Sequence, residues 1–292
     1  YYIVSGGNGF YAHGGFVPQN NFIGNTKVTI EGTTQVDLNV AGGSSTAANG
    51  SQQLALTGNT EVNIKGGTVK TVSASAGGYP YPVNDSRTGT ATVNVEGGTI
   101  TTIQASTAPA ANANIQNAIY NINADVSVAN VYGFSNLNIA NGKTLTVTGN
   151  LNAKTSNADP AGKITFNGNS TLKLNSTNTP VAGSFAVTGE GNNLQINKNG
   201  STTYPMNLYG SKPTGNGKLI VGPYSNTAAI PASNDVLIKY TTDKSQADRA
   251  DYASGFNDYV LLADPTQGTV YLNGRMVSVT YGSTTEYFPN IK

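Results

Sequence analysis

The first 106 residues contain three similar stretches in which apolar and polar residues alternate. They read TKVTIEGTTQVDLNVAGG, TEVNIKGGTVKTVSASAGG and TATVNVEGGTITTIQAS, and they start at residues 26, 60 and 90. The alternation predicts, in each copy, a strand with one buried face, a glycine-containing turn and a second strand. The apolar positions Val28, Val62 and Val93 are equivalent and recur at spacings of 34 and 31 residues.

Two strands per repeat at a period near 30 residues predict a solenoid, in which each repeat forms one rung. A single rung cannot bury its apolar face alone, so each strand is expected to pair with its equivalent in the next rung, about 4.8 Å away. We therefore predict an all-β parallel β-helix with Val28, Val62 and Val93 in one inward column. The alternatives are a β-sandwich or a propeller, although a propeller blade needs four strands in about 40–45 residues.

The remaining segments extend this prediction to a single elongated domain. The opening YYIVSGGNG is interpreted as the end of an earlier rung, with Ile3 and Val4 in its second strand. From residue 115 to 200, Asn-Gly and Gly-Asn turns predict shorter rungs. Residues 1–216 are therefore assigned to rungs. Residues 217–292 are assigned to the last rungs and a cap, which includes a hairpin around Asn273-Gly274.

Long polar insertions follow the second strand of each repeat, and they carry the candidate binding residues. They read SGGNGFYAHGGFVPQNN, AGGSSTAANGSQQ, SAGGYPYPVNDSRTG and ASTAPAANANIQN. Because they take the same place in every rung, we expect them on one edge, which is often the binding face of a repeat protein. Alternatively, their rings pack on the flank of the solenoid. The candidate ligand-binding residues are Tyr11, His13, Tyr79, Tyr81 and Arg87, with Lys65 and Lys70 on the same rung as the third insertion.

The composition narrows the possible partners. Charged residues make up 11% of the chain and the net charge is +1, so there is no overall attraction to nucleic acid or anionic lipid. The absence of cysteine excludes disulfide bonds and cysteine-based metal sites. No apolar run approaches the roughly 18 residues of a membrane-spanning helix. We expect a monomeric, extracellular piece of a longer protein.

An enzyme that cleaves a pectin-like polysaccharide is the alternative function for such a solenoid. A lyase would need clustered carboxylates for Ca²⁺ with an Arg or Lys as base, and a hydrolase would need paired carboxylates. Instead, Glu31, Lys65 and Glu96 occupy one equivalent position, which predicts a ladder of alternating charge on a solvated face. The only histidine, His13, has no adjacent carboxylate. We therefore predict neither catalysis nor a bound metal or cofactor.

The segments GNTKVTIEG, GNTEVNIKGGTV and ATVNVEGGTI, together with the tail VLLADPTQGTVYLNG, resemble a known family. They are similar to the β-solenoid ligand-binding regions of serine-rich repeat surface adhesins of lactobacilli, which are Gram-positive bacteria. The resemblance implies a right-handed, pectate-lyase-like solenoid without lyase activity, displayed on the cell surface. It further implies attachment to host mucosa or biofilm matrix, with an acidic polysaccharide such as polygalacturonate as ligand and a dependence on pH.

Overall fold

The structure is a computed structural model of the 292-residue chain. It describes residues 2–14, 16–18, 22–46, 56–76, 89–106, 117–156, 159–199, 202–209, 214–217, 219–224, 238–241, 260–262, 275–281 and 284–289. These residues form strands and turns, and no helix occurs among them.

Most of the strands belong to three large sheets. Sheet 1 contains β1 (Tyr2–Ser5), β5 (Thr26–Glu31), β8 (Thr60–Ile64), β10 (Ala91–Val95), β12 (Ala118–Ile122), β15 (Asn136–Ile139), β20 (Lys163–Asn167), β23 (Ser184–Thr188) and β27 (Thr214–Gly215). Sheet 2 contains β2 (Asn8–His13), β3 (Phe16–Pro18), β6 (Gln35–Thr46), β9 (Thr68–Ala76), β11 (Thr99–Gln104), β14 (Asn130–Phe134), β17 (Leu151–Ala153), β22 (Val181–Ala182), β26 (Met206–Leu208), β29 (Ile238–Thr241), β31 (Arg275–Tyr281) and β32 (Thr284–Pro289).

Sheet 3 begins later in the chain. It contains β13 (Val126–Val128), β16 (Thr144–Val147), β21 (Thr171–Leu174), β24 (Asn192–Asn199), β25 (Thr202–Thr203), β28 (Leu219–Tyr224) and β30 (Val260–Leu262). Two small pairs complete the described strands: β4 (Phe22–Ile23) with β7 (Leu56–Thr57), and β18 (Thr155–Ser156) with β19 (Asp159–Pro160).

Parallel pairing of equivalent strands in successive rungs builds the three sheets, and β25 and β32 are added to them by antiparallel pairing. All pairs in sheet 1 are parallel, and Val28 lies opposite Val62, which lies opposite Val93. All three valines are fully buried, so the predicted inward column is confirmed. The column continues through residues Tyr120, Leu137, Ile164 and Phe185. Stacked parallel sheets around one core define a parallel β-helix, whereas the sandwich alternative requires antiparallel sheets.

The rungs change from two sides to three along the chain. Up to Ser106, the described rungs pass from sheet 1 directly to sheet 2, whereas from Ala118 to Thr241 each rung passes through sheets 1, 3 and 2. Large rings fill the interior of the three-sided rungs. Phe166 and Phe185 meet edge to face with ring centroids 5.6 Å apart, a favourable arrangement of aromatic rings.

Rungs also become shorter between residues 118 and 188, as the Asn-Gly turns predicted for residues 115–200. Hydrogen-bonded equivalents are 31 residues apart at Asn63 and Asn94, but 17 residues apart at Asn121 and Asn138. The long insertions account for the difference, because they lengthen only the earlier rungs.

The interpretation of the opening segment is wrong. Ile3 and Val4 pair with Thr29 and Ile30, so they lie in the first strand of a rung and not in the second. The cause is that Gly6 and Gly7, both with positive φ, form a rung turn and not the start of an insertion. The stretch NGFYAH is therefore strand β2.

That correction moves two candidate binding residues. Tyr11 and His13 lie in β2, opposite Asn39 and Ala41 of β6, and not in the first insertion. The insertion of this rung begins only after β2 ends.

Left-handed glycines make the turn between sheets 1 and 2. Gly67 has a φ of +78°, a conformation that residues with a Cβ rarely adopt. A Cβ at Gly67 would also overlap the carbonyl oxygen of Thr34 in the preceding rung. The turn must therefore lack a side chain for the rungs to approach closely.

Sheets 2 and 3 continue into residues 217–292, where β28, β29, β30 and β31 pair in parallel with preceding strands. Strand β32 then pairs antiparallel with β31 at the end of sheet 2. The predicted turn at Asn273-Gly274 lies outside the described residues. The boundary after residue 216 and the role of residues 217–292 as a cap stay predictions. In the described part of the chain, no helix is long and apolar enough to cross a membrane.

Candidate functional site

The outer face of sheet 1 presents polar side chains in straight columns. Alternation along each strand points every second residue outward, and parallel in-register pairing aligns these residues at about 4.8 Å intervals. One column, polar except at Ile119, runs through Lys27, Glu61, Thr92, Ile119, Asn136 and Lys163. The next column runs through Thr29, Asn63, Asn94, Asn121, Asn138 and Thr165.

Four asparagines in the second column form a continuous ladder of hydrogen bonds. The Nδ2 group of Asn94 donates to Oδ1 of Asn63, Asn121 donates to Asn94, and Asn138 donates to Asn121, each over 2.8 Å. The ladder opposes slippage, because a one-residue shift would move every amide to the other face of the sheet.

This ladder is not among the features predicted above from the sequence, although the sequence contains a signal for it. Asparagine stands between two apolar residues in the first strand of four successive rungs, which read VNI, VNV, YNI and LNI. Aligning the repeats on their apolar pair would have placed the four amides side by side.

We expect Asn94→Ala to destabilise the protein by about 1–2 kcal/mol, because it breaks two ladder bonds and leaves Asn63 and Asn121 without these partners. Asn138→Ala is the matched control, since it removes only the bond to Asn121. Urea-unfolding midpoints of the two variants measure the difference. Equal destabilisation by both substitutions would contradict a cooperative role for the ladder.

Two ion pairs lie on either side of the ladder. Lys27 Nζ is 2.9 Å from Glu61 Oε1, a pair that the sequence analysis did not predict. Lys65 Nζ is 4.0 Å from Glu96 Oε2, as the predicted charge ladder requires, although no ion pair joins Glu31 to Lys65. Lys65, a candidate for binding an anionic ligand, therefore already has a neighbouring carboxylate.

The pKa of the Glu61 carboxyl is lowered from its ordinary value. The main cause is the hydrogen bond from Lys27, followed in the same direction by a 2.9 Å bond from Asn63, while partial burial opposes the shift. The carboxylate therefore stays charged in acid at which an ordinary glutamate is protonated.

We expect Glu61→Gln to reduce stability at neutral pH by less than about 1 kcal/mol, because the pair is more than one-third exposed. A lowered folded-state pKa contributes stability that is present above the unfolded pKa and is lost as pH falls through the folded pKa. The wild-type advantage should therefore shrink below about pH 4.5, the ordinary value. Urea midpoints at neutral and acid pH test this; an advantage that grows in acid would contradict it.

A cavity of about 440 Å³ lies where β5 and β8 begin. Its described lining consists of Asn25, Thr26, Lys27, Asn59 and Glu61. The corner is held by side-chain oxygens: Asn25 Oδ1 accepts the Asn59 N–H over 2.8 Å, and Asn59 Oδ1 accepts the Thr90 N–H over 2.9 Å.

The same edge is where the chain returns from sheet 2 to sheet 1. Residues 47–55, 77–88 and 107–116 lie outside the described residues, but the strands on both sides of them are described. Strands β6, β9 and β11 pair in parallel in sheet 2, with two register shifts between β6 and β9, and β8, β10 and β12 pair in register in sheet 1. The second, third and fourth insertions, which contain most of these residues, therefore leave and rejoin the solenoid along one edge.

The predicted site residues are only partly described. Tyr79, Tyr81 and Arg87 lie outside the described residues, and for Tyr11 and His13 only the backbone in β2 is described. The two lysines are both exposed, Lys65 in the turn after β8 and Lys70 in β9. Their common role in binding stays a prediction. In the described segments, no three His, Cys, Asp or Glu side chains lie close enough together to hold a metal ion.

The protein is thus a parallel β-helix with columns of mainly polar side chains on the outer face of sheet 1. Its insertions leave and rejoin the helix along one edge. Comparisons of the chain with protein-family models, curated proteins and solved structures find no match.

Proposed function

We propose that the chain is a non-catalytic, carbohydrate-binding module of a bacterial cell-surface adhesin. It would attach cells to host mucosa or biofilm matrix by binding an acidic polysaccharide such as polygalacturonate. The observation that carries this proposal is the common edge, at which parallel strands of successive rungs place the points where three insertions leave and rejoin the solenoid.

A repeating polymer suits a repeating surface. The rungs present polar groups at intervals of about 4.8 Å along one line, so successive units of an extended glycan can meet equivalent groups. The third insertion adds the rings of Tyr79 and Tyr81, which combine a flat apolar face with a hydroxyl. Arg87 in the same insertion can pair with a uronate carboxylate through two parallel hydrogen bonds.

We expect the wild-type protein to bind polygalacturonate without turnover. Added salt should weaken this binding, because the attraction comes from local charges and not from the net charge of +1. Calorimetric titrations in about 50 and about 500 mM NaCl measure the affinity. Incubation with polygalacturonate and Ca²⁺, followed by assays for unsaturated products and reducing ends, measures turnover. Sustained product formation would support a lyase or hydrolase, and no binding at either salt concentration would overturn the adhesin proposal.

A further inference from the structure

A site for an acidic sugar needs a net positive charge, and the cavity where β5 and β8 begin has none. Its cation and its anion, Lys27 and Glu61, lie 2.9 Å apart and neutralise each other. A uronate placed there would face the Glu61 carboxylate and would compete with it for the Lys27 ammonium. The cavity therefore disfavours an additional negative charge.

Part of the hydrogen-bonding capacity around the cavity is not used. The bonds to Glu61 from Lys27 and from Asn63 both end on Oε1, and Oε2 has no partner in the described part of the chain. Asn25 and Asn59 use Oδ1 to accept backbone N–H groups, while their Nδ2 groups have no partner among the described residues. The residues that carry this strong acceptor and these two amide donors all line the same cavity.

These three groups are also held in place before any ligand arrives. The amide planes of Asn25 and Asn59 are fixed by the backbone of the next rung. Glu61 is fixed from both sides, by Lys27 in the preceding rung and by Asn63 on its own strand. Preorganised groups bind without a further loss of side-chain entropy.

Resting on the proposed function, that the chain binds glycans, we propose that this cavity is a subsite for a neutral, hydroxyl-rich sugar residue. A sugar hydroxyl both donates and accepts hydrogen bonds. Adjacent hydroxyls would donate to Oε2 of Glu61 and accept from Nδ2 of Asn25 and Asn59. The volume of about 440 Å³ lies within the range of ligand pockets and accommodates one or two sugar rings. The edge would then select glycans that contain neutral as well as acidic residues.

The test uses nitrogen-15 NMR spectra of the whole chain, titrated with the methyl glycosides of galactose, glucose and mannose and, separately, with galacturonic acid. At least one neutral glycoside should shift the amide signals of Asn25, Lys27, Asn59 and Glu61. Raising NaCl from about 50 to about 500 mM should leave its affinity unchanged, since no net charge is engaged.

Two variants and one control make the test specific. Glu61→Gln should weaken the neutral glycoside about tenfold, because bonds to a charged acceptor are the stronger ones. Asn25→Asp keeps the oxygen that accepts the Asn59 N–H but removes the Nδ2 donor, and it should also weaken binding. Glu96→Gln breaks the other ion pair of this face, away from the cavity lining, and should have no effect.

The inference is overturned if no neutral glycoside shifts these signals, if Glu61→Gln binds like Glu96→Gln, or if galacturonic acid occupies the cavity equally well. Polygalacturonate binding by the wild-type protein is measured in parallel. If the polymer binds but the cavity variants have no effect on sugar binding, only the subsite fails; if neither polymer nor sugar binds, the proposed function fails with it.

Discussion

Phe166→Ala is expected to destabilise the protein by about 3–5 kcal/mol, the range for removing a fully buried phenylalanine ring. Phe166 lies in the inward face of β20, is fully buried, and packs edge to face against Phe185 of the next rung. The strand above and the strand below are hydrogen-bonded to β20 at fixed spacing. These two strands cannot move into the space that the ring leaves. Most of the free-energy cost of an unfilled cavity should therefore appear as a loss of stability.

The matched control is Thr165→Ala, one residue away on the outer face of the same strand, where the side chain is only half-buried. It should change stability by less than about 0.5 kcal/mol, as is usual for surface substitutions. Urea unfolding followed by circular dichroism compares the two. Similar midpoints for Phe166→Ala and Thr165→Ala would contradict the assignment of the inward and outward faces.

Gly67→Ala has the second largest expected effect on stability. The left-handed φ of Gly67 costs any residue with a Cβ roughly 1–2 kcal/mol. In addition, its Cβ would overlap the Thr34 carbonyl oxygen, which accepts the Thr68 N–H over 2.8 Å between rungs. We expect the two costs to add, with a total loss above about 2 kcal/mol.

Gly142→Ala separates the two costs. Gly142 has a φ of +68°, but a Cβ there would meet no atom within 4 Å. Only the conformational cost should appear, so Gly142→Ala should be milder than Gly67→Ala by at least about 1 kcal/mol. Thermal and urea unfolding of both variants measure the gap. If Gly142→Ala proved as harmful as Gly67→Ala, close stacking of the rungs would not be the reason for glycine at this turn.

The solenoid could be predicted from sequence because the period of two assigns each residue to a face. Val28, Val62 and Val93 showed their common inward column directly through their positions in the repeat. The asparagine ladder follows from the same alignment, since Asn63, Asn94, Asn121 and Asn138 each stand between two inward apolar residues of their strand. Aligned repeats of this kind show which residues lie side by side in successive rungs.

The opening turn, the third sheet and the cavity depend on contacts that the sequence repeats do not show. The glycines at Gly6 and Gly7 form a turn in the structure, yet in sequence they resemble the start of an insertion. The third side of the later rungs depends on which short strand pairs with which, and alternation does not specify partners. The cavity depends on the orientations of Asn25 and Glu61, which are set by hydrogen bonds from other rungs. The sequence does not show these orientations.

The most direct test of the glycan-binding account is the affinity for polygalacturonate of Arg87→Ala and of a variant with both Tyr79→Ala and Tyr81→Ala. The matched control is Lys173→Ala, which removes a half-buried cation from the outer face of sheet 3. Calorimetric titration at low salt measures all three against the wild-type protein. The account predicts about a tenfold loss of affinity in each insertion variant, from a bidentate ion pair or from stacked rings, and no loss in the control. Unchanged affinity in both insertion variants would contradict it.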